Sequence, residues 1–468
     1  MKAFLIRGVA LAAALSMPVA VVRAQQPATQ KETPPAPGTP KNFRVPPSTT
    51  FSLANGMQVT LISFGRVPKV TMDLQIRTGR IDESPDEVAL SSVMGDMLRE
   101  GTTTRTAREL SLQAADMGGS VDVDGADEIL SISGTVLSDF SVGLVGLIGD
   151  IAQHPRFDAA DLKRIIDKHA RDNAVALAEA GQQSRKLFRE ITYGNHPFAR
   201  IYPTEAMLRG YSVDKVRGFY GRNVGARRAH LYVSGVFDRQ ALERAIREAF
   251  EQWPAGEAPT ENPPVVNPKQ QVAVQDRANS VQSAVRVGGP VADPSSPDWI
   301  RLTVTDYLLG GAFGSRITSN IREDKGYTYS PQSFVSVYKK SGVWVEVADV
   351  TTNVTGASIS EIFKEINRLR TEPPPEPELT GIKNNLAGVF TVQNSSRGGI
   401  INQMAFVDLH GLGQDYLQSY VKNVMAVTPT DVRATAEKYL DPSKMSIAIV
   451  GNKKEVDKQL GEVKAIKP

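Results

Sequence analysis

Leu90, Val93, Met94, Met97 and Leu98 return at the i, i+3, i+4, i+7 and i+8 spacing of one helical face, so 87–99 is expected to form an amphipathic helix. Its other face carries Ser92, Gly95 and Asp96. Residues 128–136 alternate instead on a period of two, with Ile129, Ser131 and Ser133 opposite Leu130 and Ile132, which predicts a strand. Segments 333–338 and 343–350 flank Lys339-Lys340-Ser341-Gly342 and predict a hairpin. Segments 158–180 and 359–370 have helical spacing and no internal proline. Strands and helices do not alternate strictly enough for a doubly wound sheet, so the expected class is α+β.

The pattern occurs twice. Ser212-Val213-Asp214-Lys215-Val216-Arg217 and Thr428-Pro429-Thr430-Asp431-Val432-Arg433 lie 216 positions apart, each a helix start with Ser212 or Thr428 as N-cap. At the same offset Leu231-Tyr232-Val233-Ser234-Gly235 matches Ile447-Ala448-Ile449-Val450-Gly451, a buried strand ending in glycine. Met97-Leu98-Arg99-Glu100-Gly101 falls opposite Tyr307-Leu308-Leu309-Gly310-Gly311, 210 positions on. A near-constant offset at three places indicates two homologous α+β domains, against the plainer reading of helix-plus-strand elements that merely look alike. The proline-rich 254–268 stretch lies between the halves. The expected organisation is a signal at 1–24, a proline-rich tether at 25–47, domains at 48–253 and 272–468, and a linker at 254–271.

The N-terminal expectation rests on local chemistry. Lys2 and Arg7 precede an apolar run over 9–22, and Val22-Arg23-Ala24 offers small residues for cleavage. The run, broken by Ser16 and Pro18, falls short of the ~20 residues a membrane span needs, which favours a cleaved secretory signal over a retained anchor. No later stretch is long and apolar enough to span, so a periplasmic or secreted chain with no membrane span after cleavage is expected. The 468 residues carry a formal net charge of +3, and removal of Lys2, Arg7 and Arg23 balances the chain at 51 basic and 51 acidic residues. Nothing in that balance calls for nucleic acid. Cysteine is absent, which excludes disulfides, thiolate metal sites, a cysteine nucleophile and a lipidated cysteine.

Several segments carry more than periodicity. Thr78-Gly79-Arg80-Ile81-Asp82-Glu83 precedes the 87–99 helix, and Leu98-Arg99-Glu100-Gly101-Thr102 closes it. Residues 308–330 read LLGGAFGSRITSNIREDKGYTYS: a glycine-rich turn, Ser-Arg, then Arg322 and Tyr329 seven positions apart. Phe51-Ser52-Leu53-Ala54-Asn55-Gly56-Met57, Tyr193-Gly194-Asn195-His196-Pro197-Phe198 and a helix-like 378–390 after the 373–377 proline run complete the order. From about residue 48 to the end, this series resembles the insulinase/pitrilysin-type metallopeptidases, the inverzincins. Their helix holds H-x-x-E-H, two zinc histidines flanking a general base.

In that register the resemblance sets Ser92 and Asp96 at the histidine positions and Gly95 at the glutamate. Serine is a poor zinc ligand and glycine cannot move a proton, so no metal is expected in this chain. The family's third ligand falls within 167–172, where the helix offers Asp167, His169 and Asp172. A long-range site from His169 with Asp96 is the remaining metal alternative, against His169 as a partly exposed helix residue. The five histidines, His154, His169, His196, His230 and His410, form no local chelate.

The resemblance further implies a clamshell of two domains around a cavity for an extended peptide. In one branch of the family, one chain supplies H-x-x-E-H and a homologous chain supplies the Arg/Tyr pair. This chain resembles the second kind: a non-catalytic subunit offering Arg322 and Tyr329 in trans, with zinc in its partner. A tyrosine hydroxyl can donate to a developing oxyanion, and an arginine can anchor a substrate carbonyl. Alternatively Arg322 pairs with Glu323 or Asp324 and Tyr329 merely packs, leaving a structural or peptide-binding subunit of an envelope assembly. Gly310-Gly311-Ala312-Phe313-Gly314-Ser315 lacks the nucleotide fingerprints and is expected to be a tight strand-to-helix turn. Gly118-Gly119-Ser120 and Gly314-Ser315-Arg316 lack the serine-hydrolase elbow.

Overall fold

The computed structural model describes residues 38, 40, 41, 43–259, 261–413 and 415–463; the expected signal at 1–24 and most of the tether lie outside them. Among these residues, two sheets form. The first contains β1 (Ser48–Ser52), β2 (Gln58–Ser63), β3 (Lys69–Ile76), β4 (Ser120–Gly125), β5 (Leu130–Leu137) and β6 (Ala229–Gly235), in the order β1-β2-β6-β3-β5-β4. The second contains β7 (Val272–Asp276), β8 (Gln282–Val291), β9 (Gln332–Tyr338), β10 (Ser341–Thr351) and β11 (Ser446–Gly451), in the order β7-β11-β8-β10-β9. With β1 set aside, the two orders are the same. Each has one parallel pair, β2 with β6 and β7 with β11, and the remaining pairs are antiparallel. The sequence repeat is a repeat of topology.

Each sheet has its own apolar core. Leu90, Val93, Met94, Met97 and Leu98 pack with Leu74, Leu130 and Ile132 in the first. Trp344, Ile359, Ile362, Phe363 and Ile447 do so in the second. Ser212 and Thr428 both cap their helices, accepting from the backbone N–H of Lys215 and Asp431. The hairpin closes over Lys339-Lys340, with Lys340 in the left-handed region at φ 60°, because β10 already begins at Ser341.

Two helices differ from their sequence pattern. The first starts at Leu90, three residues later than periodicity suggested. Ala89 is left-handed at φ 67°, and Glu83 accepts hydrogen bonds from the N–H groups of Ala89 and Ser91 and from the Ser91 hydroxyl. That buried carboxylate does the capping that no N-cap side chain does. The periodic stretch ending at 180 is two helices, Ala159–Ala178 and Ala180–Tyr193, broken where Glu179 turns extended at φ −91°, ψ 129°.

The break redirects the chain onto the other domain. The Ala180–Tyr193 helix packs on β11, β8 and β7, and the Arg397–His410 helix packs in return on β6 and β3. Gly288 permits the first approach: a Cβ there would lie 2.9 Å from Phe188 Cζ. Around that helix Tyr193, Phe198 and Tyr338 form an aromatic cluster, with the Phe198 and Tyr338 rings stacked at 4.0 Å. Asp127 lies at its edge and accepts from Arg80 Nε at 2.7 Å, from Arg189 Nη2 at 2.5 Å and from the Tyr338 hydroxyl at 2.7 Å. The domains are thus joined by exchanged helices and a shared carboxylate. Past the linker's start, His196 Nε2 is 2.8 Å from the Asn262 carbonyl. At the other end of the described chain, the Phe43 ring lies edge-on to Phe390 at 5.4 Å.

Candidate functional site

The Leu90–Arg99 helix buries its apolar face and leaves Ser92 and Asp96 half-buried on the opposite side, with Gly95 buried between them. Asp96 does not stand alone. Its Oδ2 lies 2.8 Å from His169 Nε2, and its Oδ1 lies 3.5 Å from Arg99 Nη1. Burial pushes the Asp96 carboxyl up, but the hydrogen bond and charge of His169, with Arg99 and Lys168, outweigh it and hold the group below the usual carboxylate range. The His169 side chain is 18% exposed, so it is a partner to Asp96 more than a solvent-facing helix residue. Asp172 pairs with Lys168 at 2.8 Å, and Asp167 pairs with Lys163 at 2.8 Å. Of the three candidate side chains on that helix, His169 is the one hydrogen-bonded to the 92–96 face.

A catalytic zinc needs three protein ligands and an open position. Asp96 and His169 supply two groups, already bound to each other, and Ser92 supplies a neutral hydroxyl. Among the described residues no three His, Cys, Asp or Glu side chains converge on one point. The residues present do not fit the metal. Packing does not explain the missing base, since a Cβ on Gly95 would meet Leu130 Cδ1 at 3.5 Å, an ordinary contact.

The second domain holds the other candidates. Arg322 belongs to a π-helical stretch, Thr318–Asp324, which ends before Gly326 at φ 64° and so returns the chain to Tyr329. The Arg322 guanidinium lies 4.4 Å from the centre of the Phe313 ring and 5.2 Å from that of Tyr329. Both rings face outward, Phe313 76% and Tyr329 81% exposed, beside the same guanidinium. Beside them is a cleft of about 250 Å³ lined by Gly311, Phe313, Thr318, Arg322, Ser330 and Gln332. Arg322 Nε also lies 3.1 Å from Glu323, an exposed pair of the kind worth ~1 kcal/mol or less. The neighbouring Arg316 is committed elsewhere, gripping both oxygens of Glu378 at 2.8 and 2.9 Å.

The glycines ahead of Arg322 are not a strand-to-helix turn. Gly310 and Gly311 end a π-helical extension, Tyr307–Gly311, of the Trp299–Asp306 helix. A Cβ on Gly310 would lie 2.5 Å from Ser333 Oγ and 2.7 Å from Glu346 Oε2, and one on Gly311 would lie 3.0 Å from Asp306 Oδ2. The backbone is drawn down onto two buried carboxyls. Burial pushes Asp306 up to about 6, against hydrogen bonds from Ser333 and Trp344. Glu346 is raised well above the usual carboxylate range by burial and then by Asp306, with the Gln332 backbone N–H opposing.

The structure therefore unites Asp96 with His169 and Arg322 with Tyr329. No hydrogen bond, ion pair or ring contact joins Arg322 or Tyr329 to Ser92, Gly95 or Asp96 among the described residues. Sequence reasoning missed Asp127, Arg189 and Tyr338, and also the Asp306 and Glu346 pair. A carboxylate inside an apolar strand, as at Glu346, was the one visible signal.

Fold and site define a peptidase-like chain with no catalytic metal set among the described residues. The family model described as Insulinase (Peptidase family M16) matches residues 59–202, and that described as Peptidase M16 inactive domain matches 211–386. The chain belongs to the insulinase family, M16. Among curated relatives, the uncharacterized zinc protease YmxG of Bacillus subtilis is 24% identical over 342 residues, covering 72% of this chain and 82% of the relative. A peptidase M16 inactive domain from Pseudomonas fluorescens shares the fold with a TM-score of 0.80 at 20% identity, over 86% of this chain and 98% of that one. A chain of Complex III2 from Candida albicans shares it with a TM-score of 0.73 at 14% identity, over 89% and 99%. Among the described residues no helix is long and apolar enough to cross a membrane.

Proposed function

We propose that this chain is the non-catalytic subunit of a secreted or periplasmic zinc metallopeptidase, supplying Arg322 and Tyr329 in trans to a homologous chain that carries H-x-x-E-H and the zinc. The observation that carries the reading is the guanidinium held beside two outward-facing rings at the mouth of a cleft. The Tyr329 hydroxyl has no hydrogen-bond partner among the described residues, so it is free to donate to a substrate oxyanion. The lost zinc set at Ser92, Gly95 and Asp96 makes a second chain necessary for hydrolysis. The degenerate positions and the intact pair belong to opposite domains, so one could be lost without unfolding the other.

The test is peptidase activity of the complex isolated from the native envelope. Tyr329→Phe removes a hydroxyl and almost no volume, and should lower kcat by roughly 10²-fold or more, the cost of one lost oxyanion donor. Arg322→Ala should raise KM as well. Unchanged kinetics in both variants, with the complex intact, would leave the second reading, a structural or peptide-binding subunit. The Arg322–Glu323 pair and the fold shared with a Complex III2 chain favour that alternative.

A further inference from the structure

Between the Ala180–Tyr193 helix of the first domain and strands β8, β9 and β10 of the second lies a cavity of about 420 Å³. Its apolar wall is made by Phe188, Tyr193, Phe334 and Val345, and Phe334 is 42% exposed although it sits in a strand. Two arginines, Arg185 from the helix and Arg286 from β8, line the same space. Among the described residues, neither has a carboxylate within ion-pair distance. Arg286 donates to Ser184 Oγ at 3.2 Å and more weakly to the Gly181 carbonyl at 3.5 Å, and Arg185 makes no hydrogen bond among the described residues. Arg189, also on the wall, is by contrast taken by Asp127.

An unpaired arginine in a partly buried position, as at Arg286, is costly, and the exposed Arg185 guanidinium beside it adds like-charge repulsion. Burial, and after it the charge of Arg185, draw Arg286 down to about 10, with Asp349 opposing. The chain elsewhere pairs its buried arginines closely, as Arg228 with Asp82 and Arg316 with Glu378. This pair stands out as a cationic site awaiting an anion. Beside an aromatic wall, the ligand must combine a negative charge with an apolar group.

We infer that this cavity binds the carboxylate and adjoining apolar side chain of a peptide, Arg185 and Arg286 gripping the carboxylate and Phe188 and Phe334 covering the side chain. Planar guanidinium forks suit a carboxylate in paired hydrogen bonds. The cavity shares Ser330 and Gln332 with the Arg322 cleft, so one extended peptide can occupy both. The inference rests on reading the chain as a peptide-handling subunit and deepens it, naming an anchored peptide as the occupant of the second domain. A terminal carboxylate and an Asp or Glu side chain offer the same chemistry, and the experiment separates them.

The measurement is fluorescence anisotropy on the full mature chain without any partner. The probes are dye-labelled seven-residue peptides ending in Leu or Phe as free acids, the same peptides as C-terminal amides, and amides with Asp or Asn before the last residue. Free acids should bind, and Arg185→Gln and Arg286→Gln should each weaken them roughly tenfold or more. Arg185 is exposed, so its replacement leaves the fold alone; Arg286→Lys keeps the charge and checks the buried position. Weakened binding of the amides assigns the site to a peptide C-terminus. Binding regained with Asp and not with Asn assigns it to either carboxylate. Equal affinity for acid, amide, Asp and Asn peptides, or affinities untouched by both arginine variants, would overturn the inference. This equilibrium assay is independent of catalysis in trans: kinetics unmoved by Tyr329→Phe with peptide affinity intact would remove the proposed function and leave this site standing.

Discussion

Replacing Asp127 removes the one acceptor shared by Arg80, Arg189 and Tyr338, and with it a link between the domains. The Arg189 side chain is 7% exposed and that of Arg80 is 16%. Removing one partner of a buried pair costs about 3–5 kcal/mol, because the surviving charge stays buried and unpaired. The Asp127 side chain is itself 21% exposed, which lets water reach the site and puts Asp127→Ala at the lower end, about 3 kcal/mol. Tyr338→Phe loses both the bond its hydroxyl donates to Asp127 and the one it accepts from Arg189 Nη2, and should cost about 1–3 kcal/mol. Urea unfolding at pH 7, followed by circular dichroism, reads both. The pH dependence gives an independent check. Burial raises the Asp127 carboxyl, but Arg189 and Arg80 outweigh burial and hold it far below its ordinary value in the folded chain. A depressed carboxyl contributes its full stability above the unfolded value near 4 and loses it as pH falls toward the folded one. The gap between wild type and Asp127→Asn should therefore narrow steadily below about pH 4. A deficit under about 1 kcal/mol for Asp127→Ala at pH 7, or a gap that does not shrink in acid, would refute the reasoning.

Metal analysis of the purified chain after dialysis against a weak chelator should find far less than one zinc per chain; near-equimolar zinc that disappears in Asp96→Ala would restore an active first domain. Because His169 already reaches position 96 at 2.8 Å, the Ser92→His, Asp96→His double variant should gain zinc, and adding His169→Ala should abolish the gain. Asp306 has the opposite sign from Asp127: a carboxyl raised to about 6 from 3.8 stabilises the fold fully below about pH 4, and roughly 3 kcal/mol of that is lost as pH rises from about 4 through 6. Asp306→Asn should flatten stability between pH 4 and 7, measured by urea unfolding across that range, and an unchanged slope would show that the buried carboxyl does not titrate there.

Local periodicity placed the elements because helical and strand spacing are properties of neighbouring residues. It found the Leu90–Arg99 face, the β9–β10 hairpin and both capped helices after Ser212 and Thr428. The repeat offset revealed two domains of one topology, since equal patterns at equal separation fold alike. The family resemblance set Ser92 and Gly95 at zinc-site positions, where their side chains do not suit zinc chemistry, and it was the same resemblance that named Arg322 and Tyr329 as a pair. Contacts across distance were invisible to such reasoning. His169 meets Asp96 across 73 positions, and Tyr338 meets Asp127 across 211. The break at Glu179, the exchange of helices between sheets and the Arg185–Arg286 cavity arise only when two separately patterned domains pack. A linear pattern records which face of an element is apolar; which surface that face meets, and which charges are left without partners, is decided by the packing of the whole chain.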